Sequence, residues 1–425
     1  MRVAESHHMR VRRAAAQVAS FAGDAPLALV KQRSNLYRHR GAGARHRVDL
    51  GALCHVLGHD EDQRCVEVEG LVSYETLVDW CLRRGVMPAV VPQLRTITVG
   101  GAVAGVGIEA TSFRHGPVHR TMTEVDVLLP GGDVVTCTAG NEHADLFYGF
   151  PNSYGTLGYA TRLRMNVVAA GAAVHVRHER FTCAQAFLQA LATACAGDAD
   201  FVDGVAFARD LLVLNTGRFA DGSPWLSSYA YDSTYCDSLL DRDEDYLESA
   251  DYLWRWDAHW AWAARNIGPR YALVRRLLGP RRLATATGGR EIVVQDVHVP
   301  LARAAELLQF LLEQADIRPV WVCPVRGEDG GLFPLYPMDA APVYVNFGIW
   351  DGAQSPATQA GSSLARSLEE KVLALGGLKV LYSDSHFSPA EFAGTYGMEA
   401  YWQLKRRYDP GQRALDLYGK CVRAL

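Results

Sequence analysis

VVPQLRTITVGGAVAGVGIEATSFRHG, residues 90–116, is the stretch on which the reading of this chain turns. It holds Gly100, Gly101, Gly105, Gly107 and Gly116, few bulky side chains, and hydroxyls at Thr96, Thr98, Thr111 and Ser112. Within it, Gly105-Val106-Gly107-Ile108-Glu109-Ala110 matches the GxGxxG/A dinucleotide pattern, and Asp126 follows at about the ~20-residue distance that pattern expects. The context is wrong. That fingerprint needs a long helix directly after the glycines, aiming its positive end at a pyrophosphate. Here Thr111-Ser112-Phe113-Arg114-His115-Gly116-Pro117 cuts any such helix short. Two readings remain: a loop that needs positive φ or tight strand contact, or backbone lying directly against a large planar or anionic ligand. Uncrowded N–H groups can ring phosphate oxygens in the second case.

Outward from this stretch, short strands alternate with helices. Residues 8–22 read as a helix, 27–30, 48–50 and 65–69 as strands, and Tyr74–Arg84 as a helix that stops before Gly85. Pro130-Gly131-Gly132-Asp133 between two β-rich runs marks a hairpin, and a glycine-broken turn at 151–158 leads into a strand over 160–168. Beyond Gly171 come helices at 184–196, 301–315 and 362–375, and strands at 292–299, 320–323, 343–349 and 379–382. The tail from Pro389 is helical and basic, interrupted at Asp409-Pro410-Gly411. These patterns predict an α+β fold with boundaries near 170 and 380.

Composition narrows the function. The chain has 425 residues, 49% of them hydrophobic, which supports a sizeable core without a low-complexity tract. A formal charge of −4 argues against a dominant nucleic-acid footprint. Nine dispersed cysteines without a CxxC pair read as reduced thiols, and no apolar run is long enough to span a bilayer. The compartment expected is the cytoplasm. Walker, HExxH, EF-hand and GxSxG motifs are missing, as is a paired cysteine/histidine metal set.

Residues 90–116, together with NEHADLFYGFPNSYGTLGYATRLR (141–164), resemble FAD-binding oxidoreductases of the vanillyl-alcohol oxidase/p-cresol methylhydroxylase (PCMH) type, and within it the Δ24-sterol reductase (DIMINUTO/seladin) branch. VVQDVHVP (293–300), IRPVWVCP (317–324) and LYSDSHFSPAEF (381–392) extend the likeness over most of the chain. The resemblance implies a two-part FAD domain, residues 1–170 and 381–425, with an α+β substrate (cap) domain inserted at 171–380. It implies FAD contacts at Arg33, Ser34 and Asn35 in a first loop. A second set is Pro92, Gln93, Thr96, Thr98, Gly100, Gly101, Gly105, Gly107 and Ile108, closed by Ser112 and Gly116. A third is Gly155, Thr156, Leu157 and Gly158. Many members of the family carry Arg-Gly-x-Gly-His in the first loop, whose histidine can bond covalently to the flavin. This chain has Arg33-Ser34-Asn35-Leu36, with His39 and His46 out of register. FAD is therefore expected to be held non-covalently.

Flavin redox chemistry needs an acid or base near the reacting carbon. Glu109 directly after the glycines is one candidate, with a capping carboxylate as its plain alternative. Gln295 and Asp296 interrupt an apolar strand, so alternation aims one of them at an interior pocket, and His298 shares the Asp296 face. Asp296 is read as a catalytic group, and Gln295 and His298 as substrate-facing. Tyr382, Asp384 and His386 alternate along one extended segment and can share a side; a plain hydrogen-bond network is the alternative. In the 251–282 tract, Leu253, Trp256, Trp260, Ala264, Ile267 and Tyr271 recur at helical steps among arginines. That reads either as a core helix or as a peripheral membrane contact. The resemblance implies reduction of a C=C bond in a hydrophobic, lipid-like substrate, sterol or branched fatty acyl, with NADPH as transient donor. The alternatives are an oxidase or dehydrogenase of an alcohol, polyol or lactone, and a flavin- or lipid-binding protein without turnover.

Overall fold

Strands whose side chains alternate between two environments build two sheets in the computed structural model, which describes residues 5–30, 37, 38, 41, 43–229, 234–257, 290–328, 330–339, 341–354 and 363–423. A short parallel pair, β1 (Leu27–Leu29) and β2 (His46–Val48), comes first. The first sheet comprises β3 (Val56–Asp60), β4 (Cys65–Glu69), β5 (Val86–Pro88), β6 (Met122–Leu128), β7 (Val134–Thr138) and β8 (Tyr159–Ala169). Its order is β3-β4-β8-β6-β7, and β5 pairs with the far end of β8. The second comprises β9 (Ala173–Phe181), β10 (Phe201–Ala208), β11 (Leu211–Ala220), β12 (Glu244–Glu248), β13 (Arg290–Pro300), β14 (Val320–Arg326), β15 (Val343–Gln354) and β16 (Leu378–Lys379). These eight run in the order β12-β9-β11-β10-β14-β15-β13-β16. The fold is α+β.

The two faces of the eight-stranded sheet differ, because period-two alternation sorts each strand's side chains. On one face Val293, Val297, Val299, Val320, Val322, Val345 and Phe347 pack under helices Ala184–Ala196, Leu301–Gln309 and Leu364–Ala374. On the other, Val174, Val176, Phe201, Trp321 and Tyr344 join one continuous core with Val66, Val68, Leu163 and Met165 of the six-stranded sheet. The sheets are thus welded through a single apolar layer. The chain after β16 forms helices Pro389–Thr395, Met398–Tyr408 and Leu417–Cys421 and returns to the first sheet. There Arg413 donates to the carbonyls of Pro130, Val18 and Phe21.

In the glycine-rich stretch the helix Val99–Ala104 precedes Gly105-Val106-Gly107 instead of following it, with the Thr98 hydroxyl capping its first turn. This order rules out the dinucleotide fingerprint. Close packing explains Gly100: a Cβ there would lie 2.8 Å from the Gly70 carbonyl oxygen, so only glycine lets this helix settle on the β4–β8 edge. Gly158, at φ +136°, would put a Cβ 2.6 Å from the Leu128 oxygen.

Candidate active site

The polar residues of β13 divide between the faces. Asp296 and His298 lie on the side facing the first sheet, whereas Gln295 falls in line with Val293 and Val297 on the helix-covered side. The substrate role expected for Gln295 therefore has no support from its position. Across the ladder, Gly348 stands opposite Asp296 and Asn346 opposite His298. The Asn346 amide donates to Asp296 Oδ1 at 2.8 Å, and the Tyr382 hydroxyl donates to Oδ2 at 3.0 Å. Asp296 is half-buried. Burial pushes its carboxyl up to about 6, against the pull of those two donors. His298 is fully buried, and that burial pushes its imidazole down to about 3, so the ring is neutral at ordinary pH. Its Nδ1 lies 2.7 Å from the Tyr336 hydroxyl.

Three chain segments converge beside this cluster. The Tyr37 N–H donates to the Tyr382 carbonyl, bringing the end of the first loop alongside it. Arg38 donates to the Leu381 carbonyl and to Cys421 Sγ, and its guanidinium lies 4.9 Å from the centroid of the Tyr154 ring. The Tyr154 N–H in turn donates to the Ala104 carbonyl, and its hydroxyl to that of Gly105. In these two touching loops Val106 (φ 57°), Asn152 (φ 61°) and Tyr154 (φ 50°) are held left-handed. A β-branched valine in that region is a steric outlier costing on the order of 1–3 kcal/mol, and such strain gathers where a ligand fixes the backbone.

The sheet face between these groups is aromatic. Trp321 and Trp350 stack with centroids 6.0 Å apart, and Cys323 lies buried beside them. At Gly348 a Cβ would meet the Trp321 ring at 2.9 Å and Asp296 Oδ1 at 3.0 Å, so glycine is what brings indole and carboxyl together.

Glu109 belongs to a different cluster, at the far edge of Trp321. Arg255 Nη2 lies 3.2 and 3.3 Å from the Glu109 oxygens and 2.7 Å from Asp203 Oδ2. Asp203 also accepts from the indoles of Trp256 and Trp321, at 3.2 and 3.1 Å, and from Asn215. The guanidinium lies 4.1 Å from the Tyr252 ring centroid. Burial moves the Glu109 carboxyl upward, opposed by Arg255 and reinforced by the second carboxylate, Asp203. One guanidinium serving two buried carboxylates is a structural clasp between the glycine-rich segment and the eight-stranded sheet.

The other expected residues are distributed as follows. Tyr382 reaches Asp296, but the segment after Lys379 is not a strand: the His386 side chain is exposed, and its backbone N–H donates to Glu369. Exposure still alternates along 381–386, with Leu381, Ser383 and Ser385 buried and Tyr382, Asp384 and His386 less so. Gln93, Ile108 and Thr156 are buried, and Leu157 is fully so. Pro92 packs beneath Gly107, where a Cβ would lie 3.1 Å from its ring. Thr96 leads into Thr98 and Gly101, and the Thr98 hydroxyl accepts from the Gly101 N–H. Gly105 and Gly155 border the Tyr154 turn, Gly155 with φ +74°. Ser112 and Gly116 bound a short helix whose Phe113 enters the helix-covered core, and the Val202 N–H donates to the neighbouring Ala110 carbonyl. The Ser112 hydroxyl accepts from the Glu109 N–H, and a Cβ at Gly116 would meet the Arg120 side chain. Arg33, Ser34 and Asn35 lie outside the described residues, as does 258–282 of the arginine- and tryptophan-rich tract. In its described part Trp254 and Trp256 are buried in the shared core, not offered to a bilayer. Among the described residues no helix is long and apolar enough to cross a membrane.

Comparison with known proteins gives this geometry a frame. A family model described as "FAD binding domain" matches residues 10–138. The chain is 26% identical to the Delta(24)-sterol reductase of Mus musculus over 400 residues, covering 88% of this chain and 77% of that protein. With the Homo sapiens protein of that name it shares 26% over 412 residues, again 88% and 77%, and with that of Arabidopsis thaliana 24% over 437 residues, 89% and 77%. This chain is an FAD-dependent oxidoreductase. The matched segment, residues 10–138, is similar to FAD-binding domains of the PCMH type.

The residues present fit FAD. Besides the left-handed Val106, Asn152 and Tyr154, the turn that touches Gly105 carries two fully buried polar atoms that find no partner among the described residues, Ser153 Oγ and Asn152 Oδ1. Buried polar groups are rarely left so unless a ligand or water meets them. Backbone at Gly105–Gly107 and at 152–158 would hold the cofactor. Lys405 is occupied elsewhere, donating to Asp409 and to the Thr156 carbonyl, so it braces this turn instead of serving as a free cation.

Proposed function

We propose that this oxidoreductase reduces a carbon–carbon double bond of a hydrophobic, lipid-like substrate, sterol or branched fatty acyl, with electrons from NADPH and with FAD held non-covalently. The observation that carries the reading is the Asp296–Tyr382 pair on a sheet face otherwise walled by Trp321, Trp350 and Cys323. Such a face desolvates an apolar chain and offers a single proton source. The name Delta(24)-sterol reductase, borne by relatives that align over most of the chain, points the same way.

A bound flavin supplies the hydride chemistry; the chain supplies the proton. Asp296, protonated below about pH 6, holds it at Oδ2; in that state the bond to Tyr382 reverses, the carboxylic acid donating to the phenol oxygen and freeing the phenol hydrogen for the substrate. As the Tyr382 O–H bond breaks and a C–H bond forms at the substrate carbon, the Asp296 proton passes to the phenol oxygen, and solvent restores the carboxylic acid. Burial raises the Tyr382 phenol well above its ordinary range, so it keeps its proton until that transfer. The aromatic wall excludes water from the path.

Anaerobic mixing tests the reading. NADPH alone should bleach the visible flavin absorption, and an unsaturated lipid should restore it. A flavin that ignores NADPH but is bleached by an alcohol, polyol or lactone would instead make Asp296 a base for oxidation.

A further inference from the structure

His298 and Asn346 stand directly opposite each other on β13 and β15, so their side chains are nearest neighbours on one face. Both are fully buried, and each keeps one polar atom without a partner among the described residues, His298 Nε2 and Asn346 Oδ1. Their other atoms are committed, and this fixes the character of the unmet ones. The contact between the buried Tyr336 phenol and His298 Nδ1 is assigned with the phenol as donor, since the phenol hydrogen otherwise has no acceptor among the described residues; the neutral ring then carries its hydrogen on Nε2. The Asn346 NH2 group donates to Asp296, so its oxygen is the exposed end of the amide dipole. The result is a donor beside an acceptor, next to the half-buried Asp296. Two such unmet groups side by side in a core cost about 1–3 kcal/mol each unless something binds them.

We propose that His298 and Asn346 form a two-point clamp for a cis-amide or imide edge, with the ligand oxygen accepting from Nε2–H and the ligand N–H donating to Oδ1. This rests on the reading of the face as the reaction site. Two molecules in that reading present this chemistry: the pyrimidine ring of the flavin and the carboxamide of a nicotinamide donor. Tyr336 acts as a positioning residue that sets the tautomer.

The test is equilibrium binding without turnover. Flavin-free protein is titrated with FAD by fluorescence quenching, and the flavin-loaded protein with NADP⁺ by the change in its visible spectrum. His298→Leu and Asn346→Leu should each weaken one of these ligands by about threefold to tenfold, the size of one hydrogen bond. His298→Gln, which restores an N–H donor, should recover most of the loss, and Tyr336→Phe should weaken the same ligand. Where a leucine variant does not fold, His298→Ala and Asn346→Ala carry the comparison. Loss of FAD affinity assigns the clamp to the flavin, and loss of NADP⁺ affinity assigns it to the nicotinamide. Affinities for both within about twofold of the parent, with higher melting temperatures in the leucine variants, would overturn it, since that is how purposeless buried polar groups behave. If FAD binding depends on the clamp but NADPH does not reduce the flavin, the reductase reading fails while the clamp stands.

Discussion

Replacing Asp296 by asparagine should make the flavin-free protein more stable at pH 8 and leave it nearly unchanged at pH 4. The carboxyl titrates near 6 in the fold, against 3.8 when unperturbed. Because its folded value is raised, the folded state binds this proton more tightly than the unfolded chain does. The associated stability is complete below about pH 4 and is lost as pH climbs through 6. At ~1.4 kcal/mol per pH unit the full difference is about 3 kcal/mol; partial exposure of the side chain reduces the expected effect to about 1–2 kcal/mol. The amide can still accept from Tyr382, and Asn346 can turn to meet its new NH2 group, so few contacts are lost. Urea denaturation of parent and variant between pH 4 and 8 measures the gap. A gap that stays constant across that range, or that shifts in favour of the parent as pH rises, would show that Asp296 is not a desolvated acid.

Other outcomes follow from the same geometry. The kcat of the parent should fall as pH rises past about 6, and Tyr382→Phe should lower it by about 10²–10⁴, seen in steady-state pH profiles. Arg255→Met strands Glu109 and Asp203 and should cost about 3–5 kcal/mol in chemical denaturation, whereas Glu109→Gln, which removes the surplus charge, should cost far less. Val106→Gly relieves the left-handed valine but deletes a side chain buried in the shared core, so thermal melting of the flavin-free protein should fall, by about 1–2 kcal/mol of stability. Acid precipitation should release the yellow chromophore into the supernatant; a pellet that stays yellow would refute non-covalent attachment.

Local pattern carried much of this fold. Cys65–Glu69 and Ala184–Ala196 occupy the segments read from periodicity, and Pro130–Asp133 joins β6 to β7, because each depends only on near neighbours. The helix expected over 301–315 turns into a π-turn at Phe310–Gln314, and the strand expected to reach Tyr382 ends at Lys379. There Lys379 is tied to the buried Glu369 and to the Asp384 carbonyl, bonds that no periodicity announces. Asp296 and His298 could be placed on one face from alternation alone. Asn346, Tyr336, Trp321 and the Arg255–Asp203 pair could not, because they meet them through cross-strand register and chain reversals far apart in sequence. A polar residue inside an apolar strand, such as Asn346 in VYVNFGIW, was the one available signal.

The final helices brace the ligand loops from outside: Lys405 grips the Thr156 carbonyl, Lys420 that of Tyr154, and Cys421 receives Arg38. A nascent chain therefore cannot finish its cofactor pocket until residues 405–421 have left the ribosome. A product lacking them would have both sheets encoded in full but its cradle unfastened.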